Sequence, residues 1–245
     1  MAASPHERAA SLLSPARVLD PGTRPPRRWL FDYTQAAVVA LIFALFVRTY
    51  LFQVFKIPSA SMEDTLLVGD HLVVNKFSLA PLALTGERSI LPLAEPKRGD
   101  IVIFRYPHDP RQDYIKRVIG LPGETLEVRD RQVYIDGKPL EEKYKIHRNP
   151  KGLNFDQDDY PPTRIPENSL FCMGDNRDNS KDSRSWGFVP RDYVKGRAFM
   201  IWWSYDEDLG AWQKTALADK ASGIWDKITH FFTKSRWERS FQIIK

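Results

Sequence analysis

The side chains in this sequence best suited to nucleophilic chemistry are a serine in a short polar break and a lysine in an apolar run. The serine is Ser61, within Ile57-Pro58-Ser59-Ala60-Ser61-Met62. Its neighbours Ile57, Pro58 and Met62 are apolar and would keep water away. Ser59, two positions earlier, lies on the same side of an extended chain, so its hydroxyl can point into the same space. A hydroxyl alone is a poor nucleophile and needs a base. The better candidate base is Lys116, in Tyr114-Ile115-Lys116-Arg117-Val118-Ile119. Strand alternation puts it on one face with Tyr114 and Val118, opposite Ile115 and Arg117. The pattern leaves two readings open. An exposed lysine on a sheet is the plainer one. If the side chain is instead buried, desolvation lowers its pKa and leaves a neutral amine able to take the Ser61 proton.

Other catalytic patterns are missing. There is no G-x-S-x-G elbow, no S-x-x-K pair, no phosphate loop and no G-x-G-x-x-G, and His6-Glu7 lacks the second histidine of a zinc-protease helix. The histidines His6, His71, His108, His147 and His230 are isolated. Spacing alone does not exclude a Ser-His-Asp triad, because its members can be distant in sequence, but nothing nominates one. A single cysteine, Cys172, excludes an internal disulfide framework and a cysteine-based zinc site. No metal and no cofactor is expected. The net charge of +5 could suit nucleic acid or an anionic membrane. The basic residues are scattered and gather mainly near the two ends, so no nucleic-acid binding is expected.

The elements that must position Ser61 and Lys116 follow from the chain of 245 residues, enough for one or two domains with a substantial core. Residues 1–28, with five prolines and little periodic apolar content, read as a disordered tail. From Ala36 to Val47 the chain is uninterruptedly apolar. With Trp29, Leu30 and Phe31 before it and Tyr50, Leu51 and Phe52 after it, residues 29–52 reach the ~20 residues a bilayer requires. A buried core helix and a cleaved signal peptide compete with a membrane anchor. Bulky Tyr50, Leu51 and Phe52 argue against cleavage. Arg24, Arg27 and Arg28 argue that the N-terminus is cytoplasmic.

Residues 53–206 read as a mainly β, antiparallel domain: short β-branched runs at Leu66–Val74, Ile101–Tyr106, Tyr114–Ile119, Thr125–Val128, Gln132–Ile135, Ser169–Met173 and Tyr193–Trp203, with no intervening helices. Residues 78–97 form a leucine-rich loop that either dips into the membrane surface or packs on the sheet. Residues 148–168 read as a long polar surface loop. In residues 207–245, Ile224, Trp225, Ile228, Phe231 and Phe232 recur at helical spacing among lysines and arginines. This basic amphipathic tail lies either on an anionic membrane or against the domain.

Several stretches together resemble the bacterial type I signal peptidases. They are Ile57 to Met62 followed by Thr65-Leu66, Arg98-Gly99-Asp100, Tyr114 to Arg117, and Gly174-Asp175-Asn176-Arg177-Asp178-Asn179-Ser180-x-Asp182-Ser183-Arg184-x-Trp186-Gly187-x-Val189-Pro190. These boxes stand in the family's order and span the chain from the apolar segment to about Trp203. The resemblance implies a membrane-anchored serine endopeptidase of the Ser/Lys type that removes signal peptides from exported preproteins. It would sit in the bacterial inner membrane by a single pass, with its catalytic domain on the periplasmic side, near the translocation machinery. Position by position it implies Ser61 as nucleophile and Lys116 as general base. Ser59 would assist the Ser61 backbone N–H in the oxyanion hole, Ser180 would hydrogen-bond and orient Lys116, and Asp182 and Arg184 would form a supporting ion pair. Small-residue subsites map onto Phe55, Ile57, Met62, Leu66, Leu72, Ile103, Tyr114 and Ile115.

Two departures stand out. Asp64 occupies a position where proline is common in the family, and one membrane segment is evident where two are frequent. The residues beyond 207 match nothing in the resemblance. Two alternatives are a soluble self-cleaving repressor, for whose DNA-binding domain residues 1–28 are too short, and a non-enzymatic anchored β-domain that binds exported chains.

Overall fold

The computed structural model describes residues 26–76, 95–148, 158–207 and 217–244. The expected tail up to residue 25, nearly all of the leucine-rich loop and residues 149–157 of the polar loop lie outside the described residues. The chain divides into two compact units at Leu45/Phe46.

Helix α1 runs Pro26–Phe46 and continues through a π-helical turn, Val47–Leu51. The apolar span Trp29–Leu51 comprises 23 residues, none of them buried. At ~1.5 Å per residue it is long enough to cross the ~30 Å hydrocarbon core of a bilayer.

From Phe52 the chain is β. The strands are β1 Phe52–Lys56, β2 Asp70–Asn75, β3 Ile101–Tyr106, β4 Asp109–Gly120, β5 Thr125–Arg129, β6 Gln132–Ile135, β7 Lys138–Pro139, β8 Tyr160–Arg164 and β9 Ser169–Met173. A one-turn helix α2 (Ser183–Trp186), β10 Val189–Pro190 and β11 Val194–Ser204 follow. The larger sheet has the order β1-β2-β11-β3-β4-β9-β10, and the smaller β7-β6-β5-β8. All described pairings between named strands are antiparallel.

The nearly continuous apolar run of β3 follows from cover on both faces. Val102 and Phe104 pack with Val118, Cys172 and Trp186. Ile101 and Ile103 pack with Ile57, Met62, Leu66, Leu72 and Ile201 on the other side. A third cluster, including Ile119, Leu126, Val133, Ile165 and Phe171, joins the smaller sheet to the larger one. The β5–β6 and β6–β7 hairpins turn through Asp130-Arg131 and Asp136-Gly137, all four at positive φ as two-residue hairpin turns demand.

One strand departs from the expected pattern. The residues expected to be a loop up to 168 contain β8, a two-proline edge strand. The pairing of β8 with β5 shifts register between Leu126↔Thr163 and Val128↔Tyr160, so Pro161 and Pro162 fall where no ladder bond is required. Strand β11, the last long run of the domain, is interior to the sheet. It lies between β2 and β3, with register shifts on both sides.

The C-terminal segment forms helices α3 (Leu217–Thr229) and α4 (Phe231–Lys234), as the periodicity predicts. It then returns to the sheet as β12 (Gln242–Ile243), paired with Met200 and Ile201 of β11. Several of its cations are engaged within the fold: Lys227 with Glu207, Lys234 with Asp226, and Arg239 with Asp70. Ile224, Trp225, Ile228, Phe231 and Phe232 are all exposed, Phe231 the least, with one face on Trp203.

Candidate active site

Ser61 stands on a loop whose neck is fastened by backbone bonds that extend the β1–β2 pairing. Ile57 N–H donates to Asp70 C=O at 2.8 Å, and Gly69 N–H donates to Ile57 C=O at 3.0 Å. Within the loop Ser59 is extended, Ala60–Met62 forms a single 3₁₀ turn, and Leu66 N–H donates to Met62 C=O at 2.7 Å. Met62 and Leu66 are fully buried in the core on one side. Their burial pins the loop and leaves Ser61 facing β4.

Lys116, paired in register with Val102, comes from the middle of β4. Its Nζ lies 2.6 Å from Ser61 Oγ. Both residues are buried, Ser61 to 7% exposure and Lys116 to 4%, so the exposed-lysine reading does not hold. Burial lowers the ammonium pKa from the ordinary 10.5 to about 8, and the carboxylates of Asp182 and Asp175 oppose that fall without reversing it. At 3.5 Å from Ser61 Oγ, the hydroxyl of exposed Ser59 occupies the same space, as their spacing predicts.

The 174–184 loop closes the site from the other side. Asp182 and Arg184 form a buried bidentate pair, Nε to Oδ1 at 2.9 Å and Nη2 to Oδ2 at 2.8 Å. Asp182 also accepts from Gly174 N–H at 3.0 Å. Burial pushes the Asp182 carboxyl up, but Arg184 and the Gly174 N–H outweigh this and hold it below the usual carboxylate range. A β-carbon on Gly174 would stand 2.2 Å from Ser180 Oγ and 2.5 Å from Ser61 C=O, so only glycine lets the two segments meet. Ser180 differs from expectation. Its buried hydroxyl makes no bond to Lys116; among the described residues it has no partner at full hydrogen-bond geometry, and its weak contact with the Asp182 carboxylate helps hold that group's pKa down.

Of the eight subsite positions, Phe55, Ile57, Met62, Leu66, Leu72, Ile103 and Ile115 share one apolar cluster. Five of these are fully enclosed, whereas Phe55 and Ile115 are partly exposed. Tyr114 belongs to the opposite cluster, where it stacks on Tyr106 at 4.5 Å between centroids.

Sequence reasoning gave no role to several residues around the site. Arg117, next to Lys116, is buried and holds Asp175 bidentately at 2.9 and 2.7 Å, and Asp175 accepts from Thr65 Oγ1 at 2.6 Å. Arg177 and Glu142 form a second fully enclosed pair. Asn176 reaches the Ser61 loop, donating from its backbone to Ser61 C=O and from its side chain to Ala60 C=O. A signal was present for most of these: a dense run of charges directly after the apolar strand Ser169–Met173 must pair internally if it is covered. Glu142 carried no such signal. Asp64 adopts φ +71°, which proline, fixed near −65°, cannot do, so the turn after Ser61 has a geometry that proline would forbid. Its carboxylate lies 2.9 Å from Arg148.

Among the described residues no cluster of His, Cys, Asp or Glu is arranged to hold a metal ion, and no histidine hydrogen-bonds Ser61. Burial drives the Cys172 thiol pKa upward, which keeps the group neutral and unreactive.

The family model described as "Signal peptidase, peptidase S26" matches residues 30–203. The chain is 34% identical over 210 residues to a signal peptidase I of Pseudomonas fluorescens, covering 73% of this chain and 74% of that protein. To a probable signal peptidase I-1 of Synechocystis it is 39% identical over 182 residues, covering 71% of this chain and 83% of the relative. A crystal structure of a signal peptidase I from Enterococcus faecalis is similar at 38% identity and a TM-score of 0.38, covering 42% of this chain and 96% of that one. A match spanning both the Ser61 loop and the Lys116 strand, joined to these relatives, means that the chain belongs to the signal peptidase family, peptidase S26.

Proposed function

We propose that this signal peptidase cuts exported preproteins after small residues by a Ser61/Lys116 dyad and an acyl-enzyme. The observation that carries the reading is a 2.6 Å contact between a hydroxyl and a buried amine whose pKa is about 8. Ser61 Oγ attacks the scissile carbonyl while neutral Lys116 Nζ takes its proton. The oxyanion is held by the Ser61 backbone N–H and the Ser59 hydroxyl, where one donor is typically worth about 10²–10³ in rate. Collapse of the intermediate breaks the C–N bond, and Lys116 returns the proton to the departing amine of the mature chain. A water then loses a proton to the same amine and attacks the ester. This releases the signal peptide as a carboxylic acid and restores Ser61.

Asp182 and Arg184 support the wall behind Lys116, and the Ser180 hydroxyl is at hand beside Gly174. Phe55 and Ile115 form the accessible rim of a shallow apolar floor built from Ile57, Met62, Leu66, Leu72 and Ile103, with Tyr114 beyond it. Such a floor admits alanine and rejects bulky side chains sterically. The Trp29–Leu51 helix anchors the enzyme in the bacterial inner membrane, with the N-terminus cytoplasmic and the catalytic domain on the periplasmic side. Its partners there are signal peptides, the bilayer and the nearby translocation machinery.

The test is cleavage of a preprotein by the full chain in detergent. Ser61→Ala and Lys116→Ala should each abolish it while circular dichroism stays native, and an acylating mechanism-based inhibitor should add its mass to Ser61. Full activity in either variant removes the assignment.

A further inference from the structure

The loop that carries Ser61 is held from a second side by residues beyond the family match, which ends at residue 203. The centre of that contact is Asp70, at the loop's neck and fully buried. Its carboxylate accepts from Leu67 N–H at 2.8 Å and from Ser204 Oγ at 2.6 Å. The nearest cation is Arg239, whose Nη2 donates to Asp70 Oδ2 at 2.8 Å and to Thr65 C=O at 3.0 Å. Arg236, one turn earlier, donates to Tyr205 C=O at 2.8 Å, to Val68 C=O, and to Ser204 Oγ at 2.8 Å. Gly69 lies under this clasp at φ +88°, and a β-carbon there would strike Tyr205 C=O at 2.0 Å.

Thr65 is therefore gripped twice. Its hydroxyl bonds Asp175, which is itself fixed by Arg117 on β4, the strand that bears Lys116. Its carbonyl bonds Arg239. A loop held at one side only could pivot about its neck, whereas grips on opposite sides of Thr65 fix its register against β4.

We propose that Arg239, braced by Arg236, is a positioning residue that sets Ser61 against Lys116 by clamping Asp70 and Thr65. The proposal rests on the reading of Ser61 as the nucleophile. Neither arginine touches the reacting atoms. Without Arg239 the fully buried carboxylate keeps only Arg236, whose Nη2 stands 3.8 Å from Oδ1, so it is less well compensated and pulls toward solvent, and the turn it anchors moves with it. A displacement of about 1 Å at a reacting group is enough to cost about 10²-fold in rate.

The experiment compares Arg239→Met, Arg239→Lys and Ser61→Ala in the full chain in detergent, with kcat and KM measured well below each variant's Tm. Arg239→Met is expected to lower kcat by about 10–100-fold with KM changed less. Arg239→Lys, which restores a donor to Asp70, should recover much of the loss. If Arg239→Met does not fold, Arg239→Lys and Arg236→Lys carry the test through smaller but measurable falls in kcat. A lowered Tm with wild-type kcat in folded enzyme overturns the proposal and leaves only a structural role. Activity in Ser61→Ala would instead overturn the nucleophile assignment, whatever Arg239 does.

Discussion

Lys116 and Arg117 are consecutive on β4, point to opposite faces and are almost equally buried, yet they meet opposite electrostatic fates. Arg117 lies bidentate on Asp175 and donates to Gly99 C=O at 2.7 Å, so its charge is fully compensated. Lys116 has no carboxylate within ion-pair distance among the described residues, and its hydrogen-bond partner is a neutral hydroxyl. Burial is common to both; the difference is a partner in contact. A guanidinium with such a partner is a fastener. An amine without one surrenders its proton near neutral pH and becomes a base.

The sharpest way to break this contrast is to make the two residues alike. Lys116→Arg keeps a cation of similar reach but cannot deprotonate at any working pH. Single-turnover cleavage should fall by about 10²–10⁴-fold, the usual contribution of a general base. A variant retaining even a tenth of the rate would mean that the charge, and not the free amine, is what the site uses.

The converse change is Arg117→Met, which leaves Asp175 buried without its cation. Loss of one partner from such a pair costs about 3–5 kcal/mol of folding stability. Urea unfolding should show this as a lower midpoint at unchanged slope. A loss under 1 kcal/mol would mean that Thr65 and water compensate Asp175 unaided.

How much of this contrast was legible beforehand differs between its halves. Strand alternation put Lys116 and Arg117 on opposite faces, a local consequence of the pleat, whereas Ser59 meets Ser61 through a 3₁₀ turn instead of the extended chain the spacing assumed. Burial of Lys116 was not legible. It depends on the 57–70 and 174–184 loops folding over β4, and periodicity carries no information about what lies on top of a strand. The Asp70–Arg239 contact joins residues far apart in sequence, and neither has a neighbour pattern that names the other. β8 was hidden because its two prolines read as a loop until the register shift that accommodates them is seen. The hairpin turn at Asp130-Arg131, by contrast, lies between the runs Thr125–Val128 and Gln132–Ile135, whose alternation already fixes where the chain must reverse.

The pH dependence follows from the lowered Lys116 pKa with opposite consequences for rate and stability. The base is the neutral form, so kcat should climb about tenfold per unit as pH rises toward about 8 and then level off. For stability, a folded pKa below the unfolded value of 10.5 means that the unfolded chain binds the proton more tightly. The resulting penalty is fully present below about 8 and is relieved as pH rises from there toward 10.5. Lys116→Met removes the penalty with little change in shape, so at pH 7 the inactive variant should be more stable, on the order of 3 kcal/mol. That advantage should fade by pH 10. Equal stability of the two proteins across this range would mean that the amine is hydrated in solution.

The smallest effect separates what holds Lys116 from what merely lies near it. An orienting hydroxyl would donate to or accept from the amine, yet buried Ser180 Oγ makes no bond to Lys116, which already bonds Ser61. Because the hydroxyl makes no full hydrogen bond and only helps hold the Asp182 carboxyl down, removing it relieves a poorly satisfied polar atom at the cost of one weak contact. Gly174 bounds the space on one side, so the cavity left in Ser180→Ala is small. Stability should therefore stay within about 1 kcal/mol of the parent or rise slightly, and kcat should fall by less than about tenfold. A loss of 10²-fold or more with an unchanged fold would show that Ser180 swings onto Lys116 when substrate binds. The amine would then be a base oriented by two hydroxyls, and its contrast with Arg117 would rest on the substrate-bound state instead of the resting one.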